Sequence, residues 1–307
     1  MNENPCPRWL HWFAVFVAFA TFLLVIAGAL VTSNDAGLSV PDWPLAFGKF
    51  AIPRMVGGVR FEFGHRLVAG TVGFLTFGLA LALWRFEKRR WVRWLGVAAA
   101  LTVVAQAVLG GIAVLDLLPP PLAVSHAALA EIFFCIMVSL ALFTYPRWRW
   151  DERKTEDSSS VSLRRLALAT TIIIYVQIIL GACFRLNAFG VLPHMIGAVV
   201  VTFVTGWLVT RVLMHYRGLR LLRFYTLLLG GFVIAQIFLG IGSYVEMLHY
   251  AAVEQPLPPV VDLTTTHLAV GALTLAVSLI ATYQSYRFTA VAGKTVPAHS
   301  TAEKAAL

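Results

Sequence analysis

Apolar residues fall along this chain in eight long stretches separated by short polar or basic segments. The stretches cover about 9–31, 62–84, 94–115, 122–145, 165–186, 192–214, 224–246 and 262–286. Each reaches the roughly 20 residues that a membrane-spanning helix needs and exceeds the length of an ordinary buried helix. The first, Trp9 to Val31, lacks an Ala-x-Ala-like cleavage site and reads as a retained helix. Glycines within the stretches, such as Gly70, Gly73, Gly110, Gly197 and Gly240, are expected to let helices approach closely.

Short patterns recur along the chain. Gln106-Ala-Val-Leu109-Gly110, Gln177-Ile-Ile-Leu180-Gly181 and Gln236-Ile-Phe-Leu239-Gly240 repeat on odd-numbered stretches. Ser125-His126 in the fourth matches Thr266-His267 in the eighth, and Gly64-His65 in the second pairs with Pro193-His194 in the sixth. The expected fold is therefore an all-α integral membrane protein with eight transmembrane helices arranged as two tandem four-helix bundles, a parallel internal repeat. The expected divisions are an N-terminal half over 1–150, a cytoplasmic linker over 151–163, a C-terminal half over 164–290 and a tail over 291–307.

Composition agrees: 59% of the 307 residues are hydrophobic, 13% are charged and the mean hydropathy is +0.79. A soluble chain this apolar would lack the polar residues to cover its surface. The net charge of +9 does not imply nucleic acid, because the basic residues gather in short loops. Arg85 to Arg93 follow the second stretch, Arg147, Arg149, Arg153, Lys154, Arg164 and Arg165 the fourth, and Arg211, Arg217, Arg220 and Arg223 the sixth. Arg8 and the tail residues Arg287, Lys294 and Lys304 lie on the same side, so both termini are expected in the cytoplasm of a multi-pass cell (inner/plasma) membrane protein. The cysteines Cys6, Cys135 and Cys183 show no metal-finger spacing, fall at three different levels and are expected to be unpaired.

Two outer loops interrupt this regularity. Thr32–Arg60 carries Pro41-Asp42-Trp43-Pro44 and reads as an ordered cap. Glu246–Val261, with Pro256, Pro258 and Pro259, is expected to be a second long loop.

The candidate chemistry lies just inside the outer entry of the even-numbered stretches. Glu62, His65 and Arg66 enter the second together, and ionisable groups in a membrane helix normally face a bundle interior or a functional cavity. His126, His194 and His267 stand at matching depth in the fourth, sixth and eighth. A single such histidine would read as a hydrogen-bond partner between helices; His11, His215, His249 and His299 carry no assigned role. Four at one depth, two per half, suit axial ligation of haem iron. Zinc lacks a third ligand in each half, and a Glu–His proton relay is the remaining alternative. Glu62 has no counterpart in the second half, where Val191 stands. It is a candidate acid or base, with a structural salt bridge to Arg66 or Arg60 as the other reading.

These features together, with the Gly37-Leu38-x-x-Pro41-Asp42-Trp43-Pro44-Leu45 loop, resemble the heme A synthase family over nearly the whole chain outside the tails. The resemblance implies oxidation of the C8 methyl of heme O to the formyl group of heme A, for terminal cytochrome oxidase. It implies that His65 and His126 hold the substrate haem, that His194 and His267 hold a heme B cofactor, and that Glu62 is the catalytic carboxylate. Arg60, Arg66 and Arg185 are the candidate propionate contacts. Heme O synthase, cytochrome oxidase assembly, membrane lipid and a second copy of the chain are the candidate partners; nucleic acid is not. The chain departs from many bacterial members in carrying Val40 and Ala46 where they carry a cysteine pair, and in having Met195 after His194. A di-haem b-type electron-transfer cytochrome and a non-catalytic haem carrier are the competing functions.

Overall fold

The computed structural model describes residues 6–148 and 154–291. Arg149, part of the linker with Arg153, and nearly all of the tail, with Lys294, His299 and Lys304, lie outside the described residues. Among the described residues eight helices are long and apolar enough to cross a membrane: α1 Arg8–Ser33, α2 Val59–Phe86, α3 Arg90–Leu115, α4 Pro120–Phe143, α5 Leu163–Arg185, α6 Leu192–His215, α7 Arg220–His249 and α8 Pro258–Phe288. The protein is an all-α multi-pass membrane protein. Side chains such as Leu81 and Phe238, each 71% exposed, lie on the outside of the bundle where lipid would cover them.

Local chemistry sets the helix ends. α4, α6 and α8 begin with proline in their first turn, where a missing N–H leaves nothing unsatisfied. At α5 the Ser162 hydroxyl accepts from the Arg165 N–H. One expectation is corrected here. The outer loop expected over 246–261 shrinks to 250–257, because α7 continues to His249 and the Pro258-Pro259 pair starts α8 earlier.

Within residues 8–143, α1 packs on α2 and α4, and α3 on α2 and α4; within 163–288, α5 packs on α6 and α8, and α7 on α6 and α8. Contacts between the two groups run through α1·α8, α4·α5 and α4·α8. Thus α1, α4, α5 and α8 form the centre, while α2, α3, α6 and α7 are peripheral. The three cysteines are free, as expected.

A feature with no signature in the hydrophobic pattern closes the end of the bundle where α5 begins and α8 ends. Strand β1, Thr155–Asp157, pairs in parallel with β2, Thr289–Val291, tying the linker to the end of α8. Asp157 anchors it: its carboxylate accepts from the N–H of Leu163 at 2.5 Å and of Ser159 at 3.2 Å, and meets Arg211 at 3.3 Å. Burial pushes this carboxyl up, but the Leu163 and Ser159 hydrogen bonds outweigh it and hold it below the ordinary aspartate range.

A carboxyl depressed on folding stabilises fully above its unfolded value, about 3.9 for aspartate, and loses that contribution as pH falls through the lower folded value. Asp157→Ala leaves the buried Arg211 guanidinium with the Val161 carbonyl but without its counter-ion, which costs about 3 kcal/mol. Its melting temperature in detergent should therefore fall well below wild type at pH 7, with the gap narrowing once pH drops below about 3.9. An equal gap at both pH values would remove Asp157 from this role.

Candidate functional site

His65, His126, His194 and His267 line one cavity of about 2240 Å³ at the meeting of the two helix groups. Single-ligand pockets usually measure about 300–1,000 Å³, so this space suits two large ligands. Its walls are mainly apolar, and Glu62, Arg66 and Arg185 also line it, whereas Arg60 is exposed and lies over the Phe61 ring.

Each imidazole rests against a glycine of the preceding helix. A Cβ added to Gly28 of α1 would come within 3.3 Å of the His65 Cε1 atom. The corresponding distances are 2.8 Å for Gly110 and His126, 2.9 Å for Gly181 and His194, and 3.1 Å for Gly240 and His267. Gly110 and Gly240, read from sequence as packing residues, therefore belong to the site as well. Gln106, Gln177 and Gln236, one turn before three of these glycines, donate to the backbone carbonyls of His126, His194 and His267.

The donor set fits a macrocycle gripped from two sides. His194 and His267 have ring centroids 6.3 Å apart at an interplanar angle of 89°. With metal–imidazole bonds of about 2 Å and a ring nitrogen about 1 Å from its ring centre, two rings on opposite sides of one metal ion sit about 6 Å apart. His65 and His126 both line the same cavity. Among the described residues no hydrogen bond engages Nε2 of any of the four, and Nδ1 of His65, His126 and His267 is buried without a partner. No group of three or more His, Cys, Asp or Glu gathers among the described residues, which disfavours zinc.

The first pair sits under an ordered cap. Loop residues Ala36, Val40 and Ala46 are buried, and Asp42 accepts from the N–H groups of Gly48 at 2.6 Å and Phe47 at 2.8 Å. The Gly48 and Phe47 bonds, with the Arg66 charge, hold the Asp42 carboxyl below its ordinary range despite some desolvation. Trp43 lies so close to Gly111 of α3 that any side chain there would collide with the indole.

Glu62 and Arg66 fasten this cap to α2. Arg66 donates to the carbonyls of Val40 at 2.8 Å, Asp42 at 2.7 Å and Leu45 at 3.1 Å. It also meets Glu62 Oε1 at 2.5 Å, while Glu62 Oε2 accepts from the Val40 N–H at 2.6 Å. The salt bridge to Arg66 is thus present, and Glu62 faces the cavity besides. Arg185 donates to the Thr32 carbonyl at 2.8 Å and lies 3.6 Å from Asp35.

One acid escaped the sequence pattern. Glu131 of α4 is 4% exposed, lines the cavity, and has an Oε2 atom without a partner among the described residues. Its signal was a carboxylate inside an apolar stretch. The glutamine contacts also escaped, their spacing being visible only as a repeat.

A family model described as cytochrome oxidase assembly protein matches residues 59–192, which takes in Glu62, His65 and His126 and stops short of His194. A heme A synthase of Lysinibacillus sphaericus (strain C3-41) is 31% identical over 184 residues, 58% of each chain. Heme A synthases of Bacillus cereus (strain AH187) and Bacillus mycoides (strain KBAB4) are each 26% identical over 183 residues, again 58% of each chain. The chain thus spans less than two thirds of the length of the curated relatives it matches.

Arg66→Leu should release the cap while leaving the helices inserted. Limited proteolysis within residues 37–50 should speed up at least about five-fold, since several charge-assisted hydrogen bonds are lost together. A loop as resistant as wild type would show that other contacts hold it.

Proposed function

Taking as premise that the family-model match and these relatives support the heme A synthase family for this chain, we propose that it oxidises the C8 methyl of heme O to the formyl group of heme A. The carrying observation is two histidine pairs around one cavity, with a cavity-lining Glu62 beside the first pair only. His65 and His126 hold the substrate. His194 and His267 fit a heme B, which when bound supplies an acceptor for electrons leaving the substrate.

With water as oxygen donor the net change is R–CH3 + H2O → R–CHO + 4 H+ + 4 e−. Protons must leave at each stage, and Glu62 is the carboxylate beside the substrate pair to accept them. Its hydrogen bonds to Arg66 and Val40 fix its position, and the apolar walls and the Trp43 cap exclude bulk water. Arg185 is the cavity-lining guanidinium best placed for a propionate, because Arg66 is committed to the cap. Both termini lie in the cytoplasm in this reading, with the site near the outer face. Product heme A passes to cytochrome oxidase assembly, and heme O synthase supplies the substrate.

A second reading draws on the full engagement of Glu62: one oxygen is held by Arg66 of α2 and the other by the Val40 N–H of the cap, as in a purely structural carboxylate. The chain would then be a di-haem b-type cytochrome. Haem extraction and mass analysis of membranes from cells making heme O and this protein separates the two. Heme A should appear with wild type and fall by about a hundred-fold or more in Glu62→Gln, the usual loss for an acid–base group. Unchanged heme O from folded, haem-loaded wild type would overturn the enzyme reading.

His267→Ala should remove one haem per chain and leave the absorption of the first-half haem intact, measured by the ratio of haem to protein and by optical spectrum. Loss of both haems together would count against two independent sites.

A further inference from the structure

Three of the four helices that bring a histidine to the cavity are tied to their neighbours by a glutamine, and one is not. Gln106 Nε2 donates to the His126 carbonyl at 3.1 Å, Gln177 Nε2 to the His194 carbonyl at 2.9 Å, and Gln236 Nε2 to the His267 carbonyl at 2.8 Å. Gln177 also approaches His194 Nδ1 at 3.1 Å. In every case the glutamine lies four residues before the glycine that receives the ring. On α1, Gly28 receives the His65 ring, but the residue four before it is Leu24. Among the described residues no side chain donates to the His65 carbonyl, and its Nδ1 has no partner.

Helix placement sharpens the difference. α4 and α8, which carry His126 and His267, belong to the central group and pack on helices of both halves. α6, which carries His194, is peripheral and packs chiefly on α5 and α7, but Gln177 pins it at the level of the ring. α2, which carries His65, is equally peripheral, packs chiefly on α1 and α3, and has no such pin. The first turns of α2 are bonded instead to the cap loop through Glu62 and Arg66, so cap and helix end move as one piece.

We propose that His65 is the releasable ligand of the four: Leu24, in place of a glutamine, lets α2 and its cap swing away from α1 so that a haem enters and leaves the first half, while Gln177 and Gln236 retain the haem of the second. This rests on the haem reading above and adds to it which ligand yields and which residue decides that. A substrate site must release its product whereas a cofactor site must not, and a single interhelical hydrogen bond is the kind of modest difference that separates two exchange rates. Leu24 and the three glutamines are positioning residues, acting through the helices that carry the imidazoles.

The test uses the full-length chain in lipid nanodiscs, reconstituted with heme B and mixed with excess apomyoglobin, with haem loss followed by absorption. Wild type should lose haem in a fast and a slow phase, and His65→Ala should remove the fast one. Leu24→Gln should slow the fast phase about five-fold, the effect of one net hydrogen bond, and leave the slow phase alone. Gln177→Leu should speed the slow phase by a similar factor without altering the melting temperature or the fast phase. Equal loss from both halves in wild type, a fast phase untouched by Leu24→Gln, or both phases shifted alike would overturn the proposal. Should Leu24→Gln fail to insert, Gln177→Leu decides alone, an unchanged slow phase counting against it. A chain that takes up no haem would instead overturn the haem reading itself. A chain that shows these phases but makes no heme A would leave this proposal standing and remove the enzyme.

Discussion

The contact on which the site depends is an imidazole laid against a glycine on the next helix, made four times. Helices in lipid gain little from burying apolar side chains against one another, so close backbone approach and van der Waals packing decide where they meet. A Cβ at Gly110 or Gly181 would come within 2.8 or 2.9 Å of an imidazole carbon, closer than such atoms pack. Any larger residue would push the ring or the helix away. The glycine therefore fixes both the spacing of a helix pair and the depth of its ring. Repeated around α1 to α8, the contact sets four imidazoles around one cavity, with no hydrogen bond holding Nε2 among the described residues.

On that common frame the two helix groups differ in polarity. The first brings Glu62, Arg66 and Glu131 to the cavity wall, together with a cap loop whose Trp43 closes over α3. The second offers Val191 three residues before His194 and Ala272 five residues after His267, where the first has Glu62 before His65 and Glu131 after His126, and only the short 186–191 and 250–257 connections above them. A carboxylate in an apolar wall is costly unless bonded or neutral. Two of them on one side are hard to explain by packing and easy to explain by proton-linked chemistry there. The central helices α1, α4, α5 and α8 form the wall common to both halves, so Glu131 of α4 stands where first-half and second-half groups come together.

Much of this was legible in the residues. Eight apolar stretches gave eight helices because hydropathy is a local property and the bilayer fixes the length. The histidines stood out because ionisable groups are rare in such stretches. What was not legible depends on contacts between distant residues. The bond from the Val40 N–H to Glu62 and those from Arg66 to the cap carbonyls join segments more than twenty residues apart. Backbone acceptors carry no sequence signature. The parallel pairing of Thr155–Asp157 with Thr289–Val291 is hidden for the same reason, being three residues at each end of a long separation. The outer loop expected over 246–261 was overestimated because Pro258 and Pro259 read equally well as loop residues or as the first turn of a helix.

Glu62 combines the two readings that its sequence position left open. One oxygen lies 2.5 Å from Arg66 and the other takes the Val40 N–H at 2.6 Å, yet the side chain also lines the cavity beside His65. A carboxylate held by two charge-assisted or backbone bonds cannot turn freely, which suits a group that must meet a reacting atom at a fixed place. The same bonds make it part of the cap: Arg66 reaches the carbonyls of Val40, Asp42 and Leu45, so displacing the loop strips partners from Arg66 and Glu62 together. Closing the cap and orienting the carboxylate are therefore one event. A salt bridge to Arg66 is then no argument against a chemical role for Glu62, since the bridge is what aims it.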